Sequence, residues 1–130
     1  FGWQSRTQPG RVLAFTHDGK ASLPAAVPQP PLKPVADPEF RPDAVLADRG
    51  KTVYYQRCVV CHGIGLEAAG LAPDLRASPI PADAGAFNAV VRDGALVPQG
   101  MPSFASIPEA DRVAVRHYIR TVGQEFAQGK

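Results

Sequence analysis

The stretch Cys58-Val59-Val60-Cys61-His62 decides how this chain is read, because it holds the only two cysteines and sets a histidine directly behind them. Two thiols one helical turn apart, followed at once by an imidazole, form the Cys-x-x-Cys-His attachment sequence of a c-type haem. Each element has a chemical task. The thiols reach the two vinyl groups of the porphyrin as thioethers, and His62 then turns its imidazole to the iron. A zinc half-site would need two more Cys or His ligands, and neither His17 nor His117 has a neighbouring ligand. A thioredoxin-like pair would need a βαβ setting and has no use for the histidine. A disulfide across two intervening residues closes too short a loop to contribute much.

A closed iron needs a sixth ligand, and the single methionine supplies a candidate in Gly100-Met101-Pro102-Ser103-Phe104. A methionine that merely fills a core belongs on a helix face. Met101 instead stands between glycine and proline, and Pro102 biases it toward an extended backbone. A soft thioether favours ferrous iron, so His62 and Met101 together describe an electron carrier with no open position for oxygen or peroxide.

Outward from the motif the pattern is helical. From about residue 43 to 57, Val45, Leu46, Val53 and Tyr54 recur at helical spacing, with Asp43 as N-cap after Pro42. From about 84 to 92, Phe87, Val90 and Val91 form a shorter face stopped by Asp93-Gly94. The last helix opens on a capping-box pattern, Ser106-Ile107-Pro108-Glu109, and places Ala110, Val113, Ala114, His117, Tyr118, Thr121 and Val122 on one face until Gly123. The turn-rich stretches 63–82 and 94–104 are long enough to require a buried group to pack against.

Toward the N-terminus the character changes. Seven of the 14 prolines lie between Pro24 and Pro42, a semi-rigid connector without regular hydrogen bonding. Before it, Arg11-Val12-Leu13-Ala14-Phe15-Thr16-His17-Asp18-Gly19-Lys20 reads as one strand entering a turn. A lone strand leaves its ladder groups unpaired, so it either docks on the rest of the chain or belongs to a sheet outside it. The division expected is therefore an extended segment over 1–23, a proline-rich linker over 24–42 and a helical domain over 43–130.

Composition limits the alternatives. With 130 residues, 45% of them hydrophobic, one soluble domain is expected. There is no apolar run long enough for a membrane span. The start, Phe1-Gly2-Trp3-Gln4, reads as a mature product or a piece of something longer. A net charge of +2 is too small and dispersed for nucleic acid.

From about residue 44 to 126 the chain resembles a class I cytochrome c domain, on the strength of Cys58, Cys61, His62 and Met101. The resemblance implies an all-α fold of three to five helices around one covalent haem c. It implies that the Pro73 carbonyl accepts a hydrogen bond from the axial His62, and that Gly50, Tyr54 and Tyr118 form the crossing of the first and last helices. Tyr54, Leu75, Phe87 and Phe104 are pocket candidates, equally readable as plain core. Arg76 either meets a haem propionate or is a solvated loop arginine, and His117 reads as a packed, hydrogen-bonded histidine rather than a proton-linked regulator.

A narrower likeness rests on Gly10-Arg11-Val12-Leu13-Ala14-Phe15, Asp18-Gly19-Lys20, Ala72-Pro73-Asp74-Leu75-Arg76 and Asp93-Gly94-Ala95-Leu96. These resemble the junction and C-terminal haem domain of quinohaemoprotein alcohol dehydrogenases, where a pyrroloquinoline quinone (PQQ) propeller precedes the linker. That resemblance implies electrons arriving from reduced PQQ in an upstream domain, an acceptor that is a soluble redox protein or a membrane oxidase, and a periplasmic location. The chain itself carries no quinone-binding or catalytic residues of that enzyme, so it reads as a transfer domain without catalysis of its own. The alternatives are a stand-alone monohaem carrier and, if Met101 is off the iron, a peroxidase or gas sensor.

Overall fold

Asp43 starts the helical domain as its sequence requires: its carboxylate accepts the Leu46 N–H at 2.8 Å and caps α1 (Ala44–Arg57). The structure, a computed structural model, describes residues 14–22, 25, 31–67 and 72–130. The regular elements among those residues are all helical. A single-turn helix, α2 (Val59–His62), continues from α1 through the motif, α3 spans Ala84–Val91, and α4 spans Glu109–Ala127. Short 3-10 turns at Ile64–Leu66, Leu75–Ala77, Ile80–Ala82 and Val97–Gln99 shape the long connections. The loop after the motif includes Leu66, fully buried at φ 67. Left-handed backbone costs a non-glycine residue about 1 kcal/mol, and burying a leucine returns about 2.

The two longest helices, α1 and α4, pack against each other, and Gly50 is the reason they come so close. A Cβ there would lie 1.9 Å from the Ala114 carbonyl oxygen and 2.8 Å from Tyr118 Cβ. Beside this contact the Tyr54 and Tyr118 rings meet at 5.6 Å between centroids. The core continues through Val53, Leu66, Phe87, Val91, Ile107, Val115 and Ile119. Arginines on α4 tie the rest of the chain to it. Arg112 donates to the Ile107 carbonyl and to Asn88 Oδ1, and Arg116 donates to the Pro81 and Ala82 carbonyls at 2.8 Å each.

Several expectations change in detail. Val45 and Val113 are exposed, and so is Ala110; α4 buries Ala114 and Tyr118 of the expected face together with Val115 and Ile119, one position further round. Ser106 provides no cap, because α4 follows directly on Pro108 without a side-chain cap. Gly123 does not end the helix: it lies where a Cβ would come within 3.2 Å of the Arg76 carbonyl oxygen, so it is a site of close approach. Asp37 and Phe40, in the stretch read as linker, are already packed on α4. Arg120 holds the Asp37 carboxylate with two hydrogen bonds at 2.8 and 3.1 Å and stacks on the buried Phe40 ring. Arg11, Val12 and Leu13 of the expected strand lie outside the described residues, as do Pro24, Pro28 and Pro30 of the linker. The described remainder, from Ala14, forms a turn in which Gly19 N–H donates to the Thr16 carbonyl at 3.2 Å, with no strand pairing.

Candidate functional site

His62 is carried into the interior at the end of α2, and its side chain has one partner among the described residues. Nδ1 lies 3.1 Å from the Pro73 carbonyl oxygen. A carbonyl only accepts, so Nδ1 bears a proton and Nε2 is the nitrogen left for a ligand. Every fully buried side-chain nitrogen and oxygen among the described residues has a partner, so the unpartnered Nε2 borders open space. A largely buried imidazole whose Nδ1 is committed to a carbonyl, leaving Nε2 as its available nitrogen, is the donor an iron ligand needs.

The residues around it are fixed from both sides. Tyr54, fully buried on α1, donates its hydroxyl to the Gly63 carbonyl at 2.6 Å and so pins the residue that follows His62. Burial drives the Tyr54 hydroxyl far above the usual phenol range, so it remains a donor at any physiological pH. Gly63 itself sits at φ 79, a conformation glycine adopts without strain. On the other side, Asp74 caps the turn Leu75–Ala77 through the Arg76 N–H at 3.0 Å, which sets the chain path just after Pro73.

Both cysteines are free thiols, Cys58 half-buried and Cys61 exposed, and Cys58 N–H donates to the Tyr54 carbonyl at 2.8 Å where α1 ends. In the haem-free chain, burial and then the neighbouring Cys61 push the Cys58 thiol up to about 11. Met101 is half-buried against the apolar core, its N–H donating to the Leu96 carbonyl at 3.2 Å. Leu75 and Phe104 share that half-buried margin with Val59, Ile80, Val90 and Val122, whereas Phe87 belongs to the buried core proper. The Phe104 N–H donates to the Val91 carbonyl at 2.7 Å, anchoring the loop that carries Met101 to the end of α3.

Arg76 is engaged away from solvent by other partners. Its guanidinium donates to Asp74 Oδ1 and Oδ2 at 3.2 and 2.9 Å and to Glu67 Oε1 at 2.6 Å, and lies 4.8 Å from the centre of the Phe126 ring. Sequence reasoning passed over Asp74, whose side chain is only 1% exposed. Its signal was an aspartate two residues ahead of a backbone N–H it could cap.

These features fit a covalently held haem. Two unbridged thiols, an imidazole with an available nitrogen, a thioether and half-buried apolar side chains are the donor set and the kind of lining such a group takes. No helix among the described residues is long and apolar enough to cross a membrane.

Comparison with known proteins agrees with this chemistry. Residues 45–119 match the family model described as cytochrome c oxidase, cbb3-type, subunit III. The chain is 44% identical over 110 residues to quinohemoprotein alcohol dehydrogenase ADH IIB of Pseudomonas putida, which covers 79% of this chain and 16% of that protein. It is 38% identical over 111 residues to the dehydrogenase subunit of alcohol dehydrogenase (quinone) from Acetobacter aceti, covering 83% of this chain and 14% of the relative. With cytochrome c550 of Pseudomonas aeruginosa it shares 34% identity over 79 residues, 56% of this chain and 53% of the relative. The chain thus spans less than a fifth of the two dehydrogenases it matches.

Proposed function

Because the chain belongs to the cytochrome c family, whose members carry haem c and transfer electrons, we propose that it is the haem domain through which a quinone-dependent alcohol dehydrogenase discharges its reduced cofactor. The observation that carries this reading is the buried His62 with Nδ1 committed to the Pro73 carbonyl and Nε2 free, together with relatives named as quinohaemoprotein dehydrogenases.

In this reading Cys58 and Cys61 would hold haem by thioethers, and His62 and Met101 would ligate its iron. Haem c supplies a one-electron ferric–ferrous couple. The residues of this chain do the rest. Pro73 orients His62 through its carbonyl, Tyr54 and Gly63 fix the end of α2, and the half-buried Leu75 and Phe104 pack against the apolar core. Reduced PQQ gives up two electrons and two protons, so the domain serves it in two successive one-electron steps and passes each electron to a one-electron acceptor, a soluble redox protein or a membrane oxidase. The protons leave from the donor. Bacterial thioether formation takes place outside the cytoplasm, which makes the periplasm the proposed location.

The test is spectroscopic and then kinetic. After co-expression with a c-type maturation system, the haem should resist acid-acetone extraction, and the ferric protein should show the long-wavelength sulfur-to-iron band and bind carbon monoxide slowly when reduced. Absence of the band with rapid carbon monoxide binding would favour an open iron and a peroxidase or sensor. The match to cytochrome c550 supports a second reading, a stand-alone carrier. The length of the natural gene product separates the two, since a product of about this size cannot contain the dehydrogenase.

A further inference from the structure

We infer that Asp74 and Arg76 are positioning residues for the axial histidine: a buried ion pair holds the Pro73–Asp74 peptide so that its carbonyl stays on His62 Nδ1, and so helps set the reduction potential. The inference rests on the reading of His62 as an iron ligand.

The Pro73 carbonyl shares its peptide plane with the Asp74 N–H, so turning that plane changes the Asp74 φ and is resisted when the Asp74 side chain and the chain beyond it are held in place. The Asp74 side chain is 1% exposed and accepts three hydrogen bonds from one residue: Arg76 N–H at 3.0 Å and Nε at 3.2 Å on Oδ1, and Nη2 at 2.9 Å on Oδ2. A two-toothed guanidinium–carboxylate fork fixes orientation as well as distance. Arg76 is itself held independently of Asp74. Nη1 donates to Glu67 at 2.6 Å, the guanidinium lies 4.8 Å from the Phe126 ring centre on α4, and the Arg76 carbonyl rests against Gly123, where a Cβ would come within 3.2 Å. The long helix α4 is therefore the anvil, Arg76 the link and Asp74 the handle on the peptide that touches His62. A hydrogen bond from Nδ1–H to a well-placed acceptor makes the imidazole a stronger donor and favours ferric iron. Loosening the pair weakens that bond and favours ferrous iron.

Arg76→Gln discriminates this role from a mere charge effect. Removing a positive charge near the iron would by itself favour the ferric state, so a simple electrostatic role lowers the potential. Loss of positioning raises it. In the matured, haem-bearing chain, Arg76→Gln is expected to increase the ferrous-to-ferric ratio at the wild-type midpoint about threefold, equivalent to about 30 mV for one electron. It should also speed solvent exchange of the His62 Nδ1 proton, followed by NMR in the reduced state, by about tenfold, because local opening frees that proton. A ratio that falls, or an exchange rate that does not change, overturns the inference. If Arg76→Gln does not mature, Glu67→Gln is the second variant: it lies at the exposed end of the cluster and removes only one of the guanidinium's two carboxylate partners. Exchange about two- to threefold faster supports the inference, and unchanged exchange refutes it. A wild-type chain without covalent haem sinks the proposed function and this inference together, whereas a haem-bearing chain indifferent to these variants sinks only the inference.

Discussion

Gly50 shows how one missing side chain fixes a fold. Where α1 and α4 touch, a methyl at this position would sit 1.9 Å from the Ala114 carbonyl oxygen, a backbone atom that cannot rotate away. Gly50→Ala is therefore expected to cost about 3 kcal/mol or more, since overpacking against backbone has no inexpensive relief. Urea unfolding of the haem-bearing protein measures it, and a change below about 1 kcal/mol would mean the crossing can widen. In the proposed function Met101 is the residue on which the electronic character turns. Met101→Ala should abolish the sulfur-to-iron band, admit carbon monoxide rapidly, and favour ferric iron at least about tenfold, or about 60 mV. A spectrum and potential like the wild type's would remove Met101 from the iron. The crossing at Gly50 was legible only through the family resemblance, whereas the glycine and proline that flank Met101 are what single it out as a candidate ligand. Asp74 was not legible, because a carboxylate's burial depends on which arginine folds back onto it.

At the scale of elements, capping and spacing carried well where local chemistry decides and less well where tertiary contact does. Asp43 and Asp83 cap α1 and α3 through Leu46 and Ala86 N–H groups, as aspartates ahead of apolar periodicity should. The α4 face keeps Ala114 and Tyr118 buried as its spacing predicts but turns further toward Val115 and Ile119, with Arg112, Arg116 and Arg120 directed onto carbonyls and Asp37, which no hydropathy pattern signals. The approach to α1 depends on the same helix. His117 Nε2 accepts the Asp43 N–H at 2.8 Å while its ring meets Phe40 edge-on at 4.8 Å. Burial, with Arg120 and Arg116 nearby and only Asp43 opposing them, holds His117 below the ordinary 6.5 of a histidine. The folded state then binds its proton less readily than the unfolded chain. The stability from this contact is complete above about pH 6.5 and is lost as the pH falls through the lower folded value. Unfolding midpoints between pH 8 and pH 5 should decline more steeply in the wild type than in His117→Gln, which keeps an acceptor but cannot titrate. Parallel declines would show that the contact does not report pH.

The whole molecule has a small core for its length. Its buried cluster joins α1, α3, α4 and the loop after the motif, while Cys58, Val59, Leu75, Ile80, Val90, Met101, Phe104 and Val122 flank that cluster only partly covered. A group covering these half-buried residues would extend the packed interior. The haem is therefore expected to be part of the core, and its covalent attachment should make folding independent of haem concentration. The double variant Cys58→Ser, Cys61→Ser tests this, because it retains His62 and Met101 and removes only the tether. Its haem should become extractable, and its stability should fall by about 1.4 kcal/mol for each tenfold dilution of free haem toward the dissociation constant, as linkage requires of any ligand bound only by the native state. The tethered wild type should show no such dependence. Thermal melts at two protein concentrations, with haem at one equivalent, distinguish the cases: equal melting temperatures for the variant would mean that the polypeptide core is sufficient without the haem.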